Sequence, residues 1–170
     1  LQTYRLMSEV DVLKNPDDYT EMAQLALEAG SPGEAQRVLE KGFAKGVFAD
    51  QRSKDRNQRL LESAKKSAAA DQQTLAKVEK EADAAPNGMK SVGLGLAYLG
   101  YGQYDKATDA ISRGLAKGGV KDEAQARLLL GIAQLKAGHK DDATKSFHAV
   151  KGDPSLERLA NLWTLHARQA

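Results

Sequence analysis

The chain has 170 residues, and its 25 Lys and Arg against 23 Asp and Glu leave a net charge of only +2. That balance argues against nucleic acid or an anionic membrane as partner, and the absence of cysteine excludes disulfides, thiol chemistry and thiolate metal sites. Ala, Leu, Lys, Glu and Gln dominate and favour helices, while no stretch approaches the ~20 apolar residues needed to cross a bilayer.

The first predicted helix covers Leu1 to Leu13, with Tyr4, Leu6, Met7 and Val10 as its inward stripe. Asn15-Pro16-Asp17-Asp18 restarts the chain. Asn15 can cap, Pro16 fits the first helical position, and the two acids suit the positive end of the helix dipole. The second helix runs to Ala29, with Tyr19, Met22, Ala23 and Ala26 recurring at helical spacing. Gly30-Ser31-Pro32-Gly33 is a turn in which Ser31 can cap the next helix, whose inner face is Ala35, Val38, Leu39 and Phe43.

The stretch from Asp50 to Ala85 is charged, rich in Ala and Gln, and free of Gly and Pro until Pro86. Its sparse apolar residues are Leu60, Leu61, Ala64, Ala68, Leu75, Val78 and Ala82. We expect a degenerate helix pair with a break near Ala70-Asp71, where Asp71 would cap. One long continuous helix and a solvated linker are the alternatives. Pro86-Asn87-Gly88 ends this stretch, and further helices follow at 89–100, 104–117, 122–137, 141–150 and 154–169. The last carries Leu156, Leu159, Leu162, Trp163 and Leu165 and is expected to cover the apolar end of the array.

Several of these elements repeat each other. Leu94-Gly95-Leu96-Ala97-Tyr98-Leu99-Gly100-Tyr101-Gly102 matches Leu130-Gly131-Ile132-Ala133-Gln134-Leu135-Lys136-Ala137-Gly138 at a spacing of 36 residues. Tyr104-Asp105-Lys106-Ala107 continues the match with Lys140-Asp141-Asp142-Ala143. A third copy lies two periods before the first of these, with Gly30, Ala35 and Gly42-Phe43-Ala44-Lys45 answering Gly102, Ala107 and Gly114-Leu115-Ala116-Lys117. A period of this length points to stacked helix pairs.

The pattern resembles the tetratricopeptide repeat. It reads Leu130-Gly131, Ala133, Gly138, Ala143 and Phe147 in the best copy, with Asp153-Pro154 near its end, and Leu94-Gly95, Ala97, Tyr98, Gly102, Tyr104, Ala107 and Ile111 in the copy before it. Asp18-Tyr19, Met22-Ala23-Gln24-Leu25-Ala26-Leu27 and Tyr101-Gly102-Gln103-Tyr104-Asp105-Lys106 make the whole similar to the C-terminal part of longer bacterial proteins of this family. The resemblance implies an all-α, right-handed α-α superhelix forming one domain over 1–170. Its parts would be a leading helix (1–15), a repeat (16–49), the degenerate pair (50–86), two repeats (87–121 and 122–153) and a capping helix (154–170). It also implies that further repeats precede Leu1, and that the compartment is the periplasm, although the chain shows no basic-then-apolar start of a signal peptide.

The functional expectation is a non-catalytic scaffold that binds a protein or peptide by shape. Gly93, Gly95, Gly100 and Gly102 do not match a dinucleotide fingerprint, and His139, His148 and His166 lack the spacing of a helical metal site. We therefore expect no cofactor, no metal and no catalytic residue. The resemblance places the first helix of each pair on the concave surface, where the positions to inspect are Met89, Val92, Leu96 and Leu99, then Gln125, Leu128, Ile132 and Leu135. Their apolar character argues against a charged clamp for a peptide carboxylate. Leu96, Leu99, Leu128, Ile132 and Leu135 are the candidate partner-binding residues, for an amphipathic helix or an extended apolar segment. Alternatively, the same residues are filled by the protein's own helices or by a second copy. In the first repeat Asp17, Glu21, Gln24 and Glu28 form an acidic, wetted stretch.

Overall fold

The helix-forming composition is realised along the whole chain. A computed structural model describes residues 1–169 and contains nine helices and no strand among them. They are α1 (Gln2–Glu9), α2 (Pro16–Glu28), α3 (Pro32–Ala44), α4 (Gln51–Ala84), α5 (Met89–Gly100), α6 (Tyr104–Lys117), α7 (Glu123–Lys136), α8 (Lys140–His148) and α9 (Pro154–Gln169). Packing divides the chain into two units, Leu1–Thr74 and a second that begins at Leu75, and α4 contributes to both.

In the first unit α2 packs on α3 around Tyr19, Met22, Ala26, Leu39 and Phe48. Phe48, which lies beyond the end of α3, is buried with them: it packs on Phe43 at 4.8 Å and edge-on to Tyr19 at 6.3 Å. Gly42 is required beneath it, since a Cβ there would lie 2.9 Å from the Phe48 ring. α1 departs from the expected helix over Leu1 to Leu13. It stops at Glu9, and Asp11 takes a left-handed conformation with φ of 57°. Val10 faces water, while Tyr4, Leu6 and Met7 are half-buried. The residue that α1 buries is Arg5, whose Nε and Nη2 donate to both carboxylate oxygens of Glu34 at 2.7 and 2.5 Å. A forked guanidinium satisfies a carboxylate better than any other cation, which is how this pair tolerates burial.

The expected helix pair at 50–86 is instead one helix of 34 residues, α4. Nothing breaks it: the stretch holds neither Gly nor Pro, and Ala, Lys, Gln and Glu are strong helix formers. Asp71 is therefore an interior residue, half-buried, with its carbonyl accepting from the Thr74 hydroxyl at 2.9 Å. The inward-facing residues explain the continuity. Asn57, Leu61, Ala64, Ala68, Asp71, Leu75, Val78 and Ala82 are all buried or half-buried, at spacings of alternately four and three residues. That period keeps a single stripe on one side of a helix through the expected break. The helix starts on Asp50, whose carboxylate accepts the Ser53 amide at 2.9 Å. It ends on Lys117, whose ammonium donates to the carbonyls of Ala82, Asp83 and Ala85 at 2.9–3.0 Å, a cation at the negative end of the dipole.

In the second unit each helix packs on the next, α5 on α6, α6 on α7, α7 on α8 and α8 on α9, and α7 also meets α5 and α9. Two glycines allow the close approaches. A Cβ on Gly95 would lie 2.3 Å from Ile111 Cγ1, and one on Gly131 would lie 2.4 Å from Phe147 Cε1. Phe147 in turn stacks on the fully buried Trp163 of α9 at 5.9 Å. The other expected inward residues of α9 divide: Leu159 is buried, but Leu162 and Leu165 are more than half exposed. α9 thus covers the end of the unit with one face, and the second apolar row points to water.

Candidate binding groove

The five apolar residues singled out on α5 and α7 do not form an open surface. Leu99, Leu128, Ile132 and Leu135 are buried, at 4%, 0%, 1% and 8% exposure, and Leu96 is half-buried. The physical reason is composition. α5 reads MKSVGLGLAYLG and α7 reads EAQARLLLGIAQLK, both apolar on most sides, and helices of that kind are covered by neighbours over most of their surface. α6, α7, α8 and α9 supply that cover.

What remains open between α5 and α7 is a groove of about 490 Å³ lined by Met89, Val92, Gly93, Val120, Lys121, Asp122, Gln125, Ala126 and Leu129. Three of the eight inspected positions, Met89, Val92 and Gln125, thus do line an open surface. The lining follows the repeat. Met89 and Gln125 are one period apart, and so are Gly93 and Leu129. Met89 is 45% exposed, and its sulfur accepts the Lys121 amide at 3.2 Å, which fixes the rim. Asp122 caps α7 by accepting the Gln125 amide at 2.9 Å. Gly93 belongs to the glycine cluster of α5. It is exposed in mid-helix, and nothing lies within 4 Å of where its Cβ would be. The fold itself gives no steric reason for that glycine.

The first unit carries a second cleft of about 820 Å³ between α2 and α4, lined by Thr20, Gln24, Arg52, Asp55, Arg56, Arg59, Leu60 and Ser63 among others. Of the acidic stretch of α2 only Gln24 lines it, while Asp17, Glu21 and Glu28 are exposed on the same helix. Arg56 Nη2 pairs with Asp17 at 3.1 Å, and the Thr20 hydroxyl donates to Asn57 Oδ1 at 2.8 Å. Sequence reading passed over the arginines because no single one is unusual in a charged helix.

The titratable groups are dispersed. His139 sits at the start of α8, 3.6 Å from Asp105, His148 is exposed at the end of α8, and His166 lies edge-on to Trp163. No group of three or more His, Asp or Glu that could hold a metal ion occurs among the described residues. The perturbed carboxyls are surface ones with lysine partners. Lys45 and then Lys41 hold Asp11 below its ordinary range, Lys90 does so for Glu81, and Lys145 for Asp142. Burial, and then Glu79, raises the Tyr98 phenol; the Glu21 carboxylate raises Tyr4 by accepting its hydrogen bond. No helix among the described residues is long and apolar enough to cross a membrane. No family model, no curated protein and no solved structure matches this chain.

Proposed function

We propose that this chain is a tetratricopeptide-like right-handed α-α superhelix acting as a non-catalytic scaffold for a protein or peptide partner. One observation carries the reading: the sequence period recurs as a period of contacts. The Gly95–Ile111 approach and the Gly131–Phe147 approach are one period apart. The turn ending each first helix is also built three times alike. Gly30, Gly102 and Gly138 are left-handed with φ of 70°, 72° and 88°. The amide after each reaches back five residues, Ser31 to Ala26, Gln103 to Tyr98 and His139 to Gln134, at 2.8–2.9 Å. Units that present the same backbone to their neighbours stack with a constant rotation, and binding on such arrays is by surface shape.

Burial of Leu99, Leu128, Ile132 and Leu135 favours the second reading for those residues: they are packing inside the scaffold. The partner surface is instead the groove around Met89, Val92, Gly93 and Gln125, where an apolar segment could lie close to the α5 backbone over Gly93. Gly93→Glu tests this, because it introduces a carboxylate into the groove at a site with open space and replaces the poorest ordinary helix former with a good one. Partner capture by the full chain is expected to fall at least about tenfold with helicity unchanged, the effect of about 1.4 kcal/mol of lost contact. Equal capture by both proteins would remove the groove from the proposal.

A further inference from the structure

The two helices that form the first cleft, α2 and α4, each carry an exposed row of charge, of opposite sign. On α2, Asp17, Glu21, Gln24 and Glu28 follow each other at spacings of four, three and four residues. On α4, Arg52, Arg56, Arg59, Ser63 and Lys66 follow at four, three, four and three. All nine are exposed. Each row lies away from the buried stripe of its own helix, and the Asp17–Arg56 pair is the one ion pair that joins the two rows.

The rows are also in register. The Asp17–Arg56 and Thr20–Asn57 contacts advance along both helices together, as they do where α2 and α4 run in the same direction. The Thr20–Asn57 and Asp17–Arg56 contacts set their relative level at an offset of 37 to 39 residues. The same offset puts Glu21 level with Arg59, Gln24 with Ser63 and Glu28 with Lys66. An acid stands level with a base at three of the four steps, and the uncharged pair occupies the other. Within the chain only the first acid–base step closes, as the Asp17–Arg56 pair. Glu21 accepts from the Tyr4 hydroxyl at 2.8 Å, and among the described residues Glu28, Arg52, Arg59 and Lys66 have no polar partner.

We propose that this face self-associates, a second copy docking on it about a two-fold axis that runs along the cleft. Such an axis keeps the level of each residue and exchanges the two helices. It lays the acidic row of each chain over the basic row of the other, with the partner's Arg59 at Glu21 and the partner's Lys66 at Glu28. The contact is isologous, closes at two chains, and satisfies both rows at once. A free acidic segment would satisfy only the basic row and would face repulsion from Glu21 and Glu28. A nucleic acid, which carries a charge every ~1.7 Å, would meet that repulsion throughout. The inference does not depend on the scaffold reading, because it uses neither α5 nor α7.

Sedimentation of the full chain over a range of concentrations tests it. We expect a reversible monomer–dimer equilibrium that weakens at least about tenfold when salt is raised from about 0.05 M to about 0.5 M, since exposed pairs are screened. Arg59→Glu/Lys66→Glu and Glu21→Lys/Glu28→Lys are each expected to be monomeric with unchanged helicity. Mixed in equal amounts, they are expected to dimerise, because one variant then carries two acidic rows and the other two basic rows. A wild type that stays monomeric at low salt overturns the proposal, as does a mixture that fails to associate. Dimers that survive in both single variants overturn it too, by placing the contact elsewhere. A monomeric wild type that binds a poly-Glu peptide would assign the cleft to an acidic partner instead.

Discussion

Three glycines on two equivalent helices separate what the fold requires from what it leaves open. Gly95 and Gly131 sit under Ile111 and Phe147 with no room for a Cβ, whereas Gly93 has open space. Alanine at each site therefore acts with opposite sign. Gly131→Ala forces Phe147 against Trp163 and is expected to destabilise by about 1–3 kcal/mol, the usual range for overpacking. Gly93→Ala is expected to stabilise by up to about 1 kcal/mol through helix propensity alone. Urea unfolding of the two variants checks the contrast, and a destabilising Gly93→Ala would mean that the groove closes over that residue. The repeat motif made Gly95 and Gly131 legible in the sequence, since both occupy its small-residue position. It was silent on Gly93, which stands opposite a leucine in the next copy. Arg5 and Glu34 were equally illegible: each is an ordinary surface type, and only their meeting across 29 residues makes both buried.

At the scale of elements, α4 carries the largest departure from expectation. A degenerate helix pair and one long helix have the same composition and length, and the difference lies in whether any residue stops the chain at Ala70-Asp71. None does, so a substitution there is decisive. Gln72→Pro would sit at the first position of a new helix if the pair existed, where proline is welcome. In the continuous helix it removes a backbone hydrogen bond and clashes with the preceding turn, at a cost of about 3 kcal/mol or more. We expect a loss of that size in chemical unfolding, with reduced helical ellipticity; a neutral Gln72→Pro would restore the pair. Apart from α1, which stops at Glu9, the remaining helices fell close to their expected bounds because their stop signals are local. Gly30, Gly102, Gly138 and Gly152 all take the left-handed conformation at or just beyond helix ends, and Asp122 and Asp153 accept amides of the helices that follow them.

At the scale of the whole molecule, stability should depend on pH through dispersed surface carboxylates. Asp11 and Asp142 are held below an ordinary value of 3.8, and Glu81 below 4.5, by lysines that accept no burial in return. A depressed folded-state value means that the unfolded chain binds protons first as the pH falls. The stabilisation is thus complete above the ordinary carboxyl range and is lost as the pH drops through it. The thermal midpoint is expected to be flat from about pH 7 to about pH 5 and to fall below about pH 4, less steeply in high salt. Melting followed by circular dichroism tests this, and a midpoint that rises below pH 4 would contradict it.

The sequence by itself determined the all-helical character, the 36-residue period, the turns that end the first helix of each repeat and the small residues where paired helices touch. These follow from short-range physics: propensity, left-handed glycines, caps and helical spacing all act within a few residues. Only the tertiary structure decided which apolar faces stay open. Leu128, Leu129 and Ile132 carry the same apolar signal as Met89, yet those three are buried while Met89 is 45% exposed, because exposure depends on which neighbour covers each face. The same holds for the two charged rows beside the first cleft. Their spacing is written in α2 and α4 separately, but their level register exists only once Thr20 and Asn57 are brought together in the fold.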